Sequence, residues 1–144
     1  MSILGTRAEL IYDLNLILQI LIFLILLTGA YYAKRRIQYR IHGKIMALAV
    51  ALNALSIVIA MGPRLVGSLS FLTSTMTQSR SQMTFLHPVL GGIAELLGII
   101  VVITLRPCGS KMGSRVRQLM RTTFMLWAAA FLVGLTVYLA FYVV

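Results

Sequence analysis

The residues that could do chemistry in this chain are few, and they lie inside long apolar stretches. There are two histidines, His42 and His87, and three acidic residues, of which Asp13 and Glu95 fall within apolar runs. An ionisable side chain in a membrane is costly and usually faces a bundle interior, a cavity or a partner. Three kinds of chemistry suit such residues: ligation of a haem or metal by imidazole, proton exchange at a carboxyl, and polar contacts that only fix helix packing.

Helical spacing places most of these groups on two polar faces. In the second apolar run, His42, Asn53 and Ser56 recur at helical spacing and are predicted to share one face. In the third run, Glu95 follows His87 by about two turns, roughly 12 Å along a helix axis, which places the carboxyl within the apolar core. The first run adds three polar residues, and an arginine follows the second run. The predicted intramembrane polar network therefore comprises Asp13, Asn15, Gln19, Asn53, Ser56, Arg64 and Glu95.

Asp13, Arg64 and His87 are predicted to share one membrane level, with Glu95 one or two turns below. Two carboxylates, a cation and an imidazole could form a buried ion-pair network, a proton path or a metal site, and the residue types do not determine which metal. The alternative is a structural network that fixes how the helices pack. The residue types are compatible with both a functional site and a structural network.

The elements that must position these groups are four membrane-spanning helices. The chain is 60% hydrophobic and only 11% charged, and a spanning helix takes about 20 apolar residues. We predict an all-α, polytopic membrane four-helix bundle forming a single domain over 1–144. Pro88 suits the first turn of the third helix, and Trp127, Tyr138 and Tyr142 are interpreted as interfacial anchors or helix contacts. The predicted helices are about 10–33, 42–62, 87–105 and 122–144.

Basic residues predict the orientation of the bundle. Ten of the thirteen Lys and Arg lie in the loops 34–44 and 106–121, and such clusters usually remain in the cytoplasm. Both termini are therefore expected on the non-cytoplasmic side. With no targeting peptide evident, the predicted location is a prokaryotic plasma membrane. Since the net charge of +10 comes from these short clusters, we predict contact with the lipid bilayer and not with nucleic acid.

This topology separates the two histidines. The second helix enters from the cytoplasm near His42, and the third enters from the other side near His87. The two imidazoles are then on the order of 30 Å apart, about the thickness of the apolar core. Both are candidate cofactor ligands, but they are not expected to serve the same site.

Two stretches resemble a known family. RIHGKIMA at 40–47, leading to IAMGP at 59–63, resembles the second helix of a family of small four-helix membrane proteins of unknown function. HPVLGGIAELLG at 87–98 resembles their third helix. Some relatives are linked with assembly of haem-copper oxidases and carry several intramembrane histidines, which implies haem or metal handling. In this chain, only His42 and His87 correspond to histidines of that family.

Three functions remain in view. The resemblance favours an accessory or assembly subunit of a larger membrane-embedded respiratory or metalloenzyme complex of the oxidase type, with other membrane subunits as partners. The first alternative is a haem-binding electron carrier with a histidine as one axial ligand. The second is an oligomeric proton-coupled transporter in which Glu95 exchanges the proton. No complete catalytic motif is present, so no catalytic residue is predicted.

Overall fold

The part of the chain that the structure describes folds as four long helices. The computed structural model describes residues 5, 7–63, 65–67, 79–105 and 114–143, and these residues contain no strand. The second helix passes directly into a π-helical turn, Ile57–Met61, and helical backbone continues beyond it. The helices are α1 (Leu10–Lys34), α2 (Tyr39–Ser56), α3 (Ser79–Leu105) and α4 (Ser114–Tyr142).

All four helices are long and apolar enough to cross a membrane. Large apolar side chains such as Leu24, Val58, Leu96 and Leu132 face outward along them. Such surfaces suit contact with lipid, whose hydrocarbon tails do not penalise exposed leucine or valine. The chain is therefore an integral membrane protein, and the predicted all-α four-helix architecture is confirmed.

The helices extend further than the hydropathy pattern suggested. α3 already begins at Ser79, so Pro88 lies inside the helix and the prediction that it occupies the first turn is wrong. An internal proline removes one backbone hydrogen bond, which membrane helices tolerate because neighbouring groups satisfy the freed carbonyl. α2 and α4 likewise include basic residues predicted to lie in loops, because arginine and lysine have good helix propensity: Arg40, Lys44, Arg115, Arg117 and Arg121.

The π turn after α2 has a local cause in the sequence. The backbone N–H of Gly62 donates to the carbonyl of Ile57, five residues earlier. A Cβ on Gly62 would lie 2.9 Å from that carbonyl oxygen, so a residue without a side chain suits this close approach. Pro63, which follows, has no N–H with which to continue the regular ladder. A single π turn of this kind commonly marks a functional site.

Small residues let the central helices approach one another. Ala49 of α2 and Ala94 of α3 are completely buried, and they contact a core formed by Ile22, Leu26 and Trp127. In membranes, where the hydrophobic effect does not drive helices together, small residues and interhelical hydrogen bonds supply the attraction. The closely packed centre is therefore where the polar side chains of α1, α2 and α3 can meet.

Candidate functional site

A chain of hydrogen bonds joins α1, α2 and α3 inside the bundle. Gln19 Nε2 donates to Asn53 Oδ1 at 3.1 Å and lies 3.0 Å from Ser56 Oγ, to which it also donates. Ser56 Oγ donates to Asn15 Oδ1 at 2.6 Å. Asn53 Nδ2 donates to Glu95 Oε2 at 2.8 Å. Five of the seven predicted network residues therefore form one continuous chain.

The polar face predicted for α2 is confirmed. Its buried residues are His42, Ala49, Asn53 and Ser56, as their helical spacing indicates. Because Asn53 and Ser56 lie one turn apart on this face, both can reach Gln19 on α1. The amide of Asn53 has a second role, since its nitrogen reaches across to α3 while its oxygen accepts from Gln19.

Glu95 is the end of this chain and is only partly satisfied. Its side chain is 5% exposed, and one oxygen, Oε2, accepts from Asn53. The other oxygen, Oε1, is buried and has no hydrogen-bond partner among the described residues. An ionised carboxyl in such a place would be a poorly compensated charge, whereas the protonated form is neutral. The site is thus built to hold a carboxyl with one open oxygen.

Asp13 has a different partner. It is completely buried near the start of α1, where its Oδ1 accepts a hydrogen bond from the hydroxyl of Tyr138 on α4. Arg64, the cation predicted at the same level, lies outside the described residues. The two buried carboxyls therefore contact different helices: Asp13 bonds to α4, and Glu95 bonds to α2.

His87 is held by α4. Its Nδ1 lies 2.9 Å from the carbonyl oxygen of Ala130, and since a carbonyl only accepts, Nδ1 carries the hydrogen. In the neutral ring Nε2 is then the acceptor. Gly134 packs directly against the imidazole, because a Cβ there would lie 2.5 Å from His87 Cε1.

His42 is arranged in the same way at another place in the bundle. Its Nδ1 lies 2.8 Å from the carbonyl oxygen of Gly29 on α1, and its Nε2 is buried without a partner in the described part of the chain. Metal-ligating histidines commonly bond a carbonyl through the second nitrogen, so both rings could serve as ligands. The described residues contain no group of three or more His, Cys, Asp or Glu that could hold a metal ion. A cofactor role for either histidine stays a prediction.

A pocket of about 250 Å³ adjoins the polar chain. Gln19 and Asn53 form part of its wall, so the pocket is one hydrogen bond away from the Glu95 carboxyl. Apolar and aromatic side chains form most of the remaining lining, with His87 as a further polar group. The complete lining is Gln19, Ile22, Phe23, Leu26, Asn53, Ile57, Met61, Gly62, Leu65, His87, Pro88, Gly91, Gly92, Trp127, Ala130 and Phe131.

Sequence reasoning missed the pocket. Trp127 is buried in the core and lines the pocket, so of the two roles predicted for it the structure supports the helix contact. Phe23 of α1 and Phe131 of α4 stack with ring centroids 4.7 Å apart, and both line the pocket. The helical spacing of Trp127 from Ala130 and Gly134 could have shown that its side chain faces inward. No sequence pattern indicated that Phe23 and Phe131 stack.

The fold and site together define an α-helical integral membrane protein with a half-satisfied carboxyl beside a small aromatic pocket. No protein-family model, no curated protein and no solved structure matches the chain.

Proposed function

We propose that this chain is a small proton-coupled membrane carrier in which Glu95 exchanges the proton and the adjoining pocket holds the transported molecule. One observation carries the proposal: among the described residues a buried carboxyl keeps one oxygen unpartnered, while its other oxygen accepts from Asn53, a residue that lines the pocket. Carboxyls placed inside membrane bundles commonly serve as proton relays in transporters. Helix packing alone would not need an open oxygen or a pocket.

Asn53 is the natural link between ligand and proton. Its amide both lines the pocket and donates to Glu95, while its oxygen accepts from Gln19. A ligand that bonds the Asn53 or Gln19 amides, or that brings a charge close to them, changes the relative stability of the protonated and ionised forms of Glu95. By linkage, loss of the proton from Glu95 changes the affinity of the pocket for the ligand by the same factor.

The segments around the pocket also suit movement. The π turn at Ile57–Met61 and the internal Pro88 both line it, and both interrupt the regular hydrogen-bond ladder. Gly91 and Gly92 add wall positions where a Cβ would meet no atom within 4 Å. Irregular turns and prolines are where membrane helices bend. Alternating exposure of the pocket would use these positions.

The proposed orientation follows the basic clusters. We place 34–44 and 106–121 in the cytoplasm of a prokaryotic plasma membrane, with both termini on the outer side. In this orientation the lining residues of α2 and α3 lie toward the outer side, on the last turns of the α2 span and the first half of α3, whereas those of α1 and α4 lie near the middle of their helices.

Purified protein in liposomes tests the proposal. The liposomes contain a pH-sensitive dye, and small cations, neutral molecules and anions are added outside, represented by benzyltrimethylammonium, neopentylbenzene and benzenesulfonate. At least one class should change the internal pH through the wild-type protein and through Asp13→Asn, but not through Glu95→Gln. Glutamine keeps the acceptor for Asn53 and removes only the ionisable group. If no class moves protons through the wild-type protein, or if Glu95→Gln behaves like wild type, the proposal is overturned.

The haem-carrier alternative is favoured by one specific observation. His42 and His87 both bond a backbone carbonyl through Nδ1, which is how ligating imidazoles are commonly oriented. The test is the optical spectrum of protein purified from haem-sufficient cells, with His42→Ala and His87→Ala beside it. A reducible Soret band that one of these substitutions removes would support a haem site, and a colourless protein would oppose it.

The accessory-subunit hypothesis stays a prediction of the sequence. It expects larger membrane subunits to purify with this chain in mild detergent. Mass spectrometry of the same preparation that is used for the spectrum tests it, and a chain that purifies alone and exchanges protons would favour the carrier.

A further inference from the structure

We infer that the pocket takes a small organic cation with an apolar, preferably aromatic, body, and that the cation and the proton of Glu95 replace one another. This inference rests on the proposed function and specifies its substrate class. It is carried by the charges near the pocket, by the aromatic rings that line it, and by its size.

Within the part of the chain that the structure describes, no cation balances Glu95 when its carboxyl is ionised. Among these residues no Lys, Arg, Asp or Glu lines the pocket, and the one titratable lining group is His87. Glu95 lies behind the wall, bonded to Asn53, and within the described residues it has no cationic partner. On the other helices, Asp13 of α1 bonds Tyr138 of α4. An ionised Glu95 therefore favours a positive ligand, whereas an anion would be repelled and a neutral molecule would leave the charge uncompensated.

Aromatic faces supply the second part of the recognition. Phe23, Phe131 and Trp127 line the pocket from α1 and α4, and the two phenylalanine rings are stacked with planes 6° apart. A quaternary ammonium group over an aromatic face is attracted by the ring quadrupole, and this attraction is larger where water is excluded. The surrounding Ile22 and Leu26 accept the apolar body of such a ligand.

The size of the pocket limits the ligand. A dry cavity of about 150 Å³ is enough for benzene. The volume of about 250 Å³ here therefore has room for a benzene ring with a compact ammonium substituent. Larger dyes with several fused rings would need the pocket to expand.

The exchange is balanced in charge and atoms. The protonated, neutral carboxyl of Glu95 releases its proton to water as the cation enters, and the carboxylate and the cation then coexist as a neutral pair. When the cation leaves, the carboxylate takes a proton from water. Each cycle moves one univalent cation and one proton in opposite directions, without net charge transfer.

Trp127 offers a direct measurement, because it is the only tryptophan of the chain and lines the pocket. Binding of benzyltrimethylammonium to the full chain in detergent is followed by Trp127 fluorescence. This probe has no proton to lose, so any pH dependence belongs to the protein. Neopentylbenzene has the same shape with carbon in place of the charged nitrogen and is the matched neutral ligand.

The expected result is saturable binding of the cation that weakens as the pH falls, with little binding of neopentylbenzene. Glu95→Gln should weaken cation binding by about tenfold or more, equivalent to at least ~1.4 kcal/mol, and remove its pH dependence. Asp13→Asn should retain both. Phe131→Leu, which keeps an apolar side chain at this position, should weaken binding of the cation more than that of the neutral ligand.

Equal binding of the two ligands, or cation binding unchanged in Glu95→Gln, overturns the inference. Size-exclusion profiles of each variant confirm that the bundle is intact. The liposome experiment separates the two levels of the argument. If neutral molecules or anions move protons through Glu95 while the cation does not, the carrier stands and the cation inference fails. If nothing moves protons, the carrier itself fails.

Discussion

The molecule contains two buried carboxyls whose surroundings differ. Asp13 lies where the start of α1 meets the end of α4, and Tyr138 donates to it. The same region is held by stacking of Tyr12 on Tyr142, with ring centroids 5.6 Å apart. Glu95 lies at the centre of the bundle, with one oxygen bonded to Asn53 and the other unpartnered among the described residues, beside a pocket.

Burial of a carboxyl therefore does not by itself indicate function. The contacts of Asp13 join the two ends of the chain within a tyrosine cluster, which is what a packing role requires. Glu95 has an open oxygen and a neighbouring space, which is what proton exchange requires. The residue type is nearly the same, and the neighbouring groups decide the role.

The largest change is expected in proton movement, which should differ between variants of the two carboxyls. Glu95→Gln should reduce proton movement in liposomes by about tenfold or more, because an amide cannot exchange a proton at this position, whereas Asp13→Asn should stay close to wild type. The internal-pH signal measures both. Equal losses in the two variants would mean that the different contacts of Asp13 and Glu95 do not give the two carboxyls different roles.

The next effect concerns the packing on the pocket side. Gly134→Ala should destabilise the protein by about 1–3 kcal/mol, a typical cost of overpacking, because the new Cβ would lie 2.5 Å from His87 Cε1 and displace the ring from Ala130. Thermal unfolding in detergent, followed by Trp127 fluorescence, gives the difference. Gly43→Ala is the matched control, since a Cβ there meets no atom within 4 Å. Equal melting of the two variants would show that His87 moves without cost.

Tyr138→Phe is expected to affect stability and not proton movement, which is the opposite of what is expected for Glu95→Gln. Removing the hydroxyl takes away a donor to buried Asp13 and should cost about 1–2 kcal/mol of stability, while proton movement per folded molecule stays unchanged. Glu95→Gln should do the opposite, with a preserved melting temperature and lost proton movement. Melting curves and liposome signals on the same preparations test this pair. Loss of proton movement in Tyr138→Phe would join the two regions into one path.

The smallest effect is expected where the polar chain acts only in packing. Ser56→Ala removes the bonds to Gln19 and Asn15 and should cost about 0.6 kcal/mol for each bond, the average for interhelical hydrogen bonds in a membrane. Thr136→Ala is the control, because this exposed hydroxyl bonds a carbonyl of its own helix. A loss above that of Tyr138→Phe would show that the chain around Gln19 is cooperative.

Much of the fold and part of the site could be predicted. The four spans and the polar face of α2 follow from apolar length and helical spacing, which also place Asn53 and Ser56 together in the predicted polar network. The start of α3 could not be placed, because Ser79 to Leu86 is weakly apolar and Pro88 resembles a first-turn proline. The shared level predicted for Asp13 and His87 did not reveal their partners, since Tyr138 and Ala130 come from α4, more than forty residues further along the chain.

The sequence alone determined that four helices enter the membrane, which residues are too polar for lipid, and which of them share a helix face. These properties depend on each residue's own transfer free energy and on a fixed helical period. Only the tertiary arrangement shows that Asn53 joins Gln19 to Glu95, that Tyr138 bonds Asp13, and that aromatic rings from α1 and α4 line a pocket. Those contacts depend on the depth and rotation of each helix relative to its neighbours. Both are set by packing of small residues between helices, which no single helix contains.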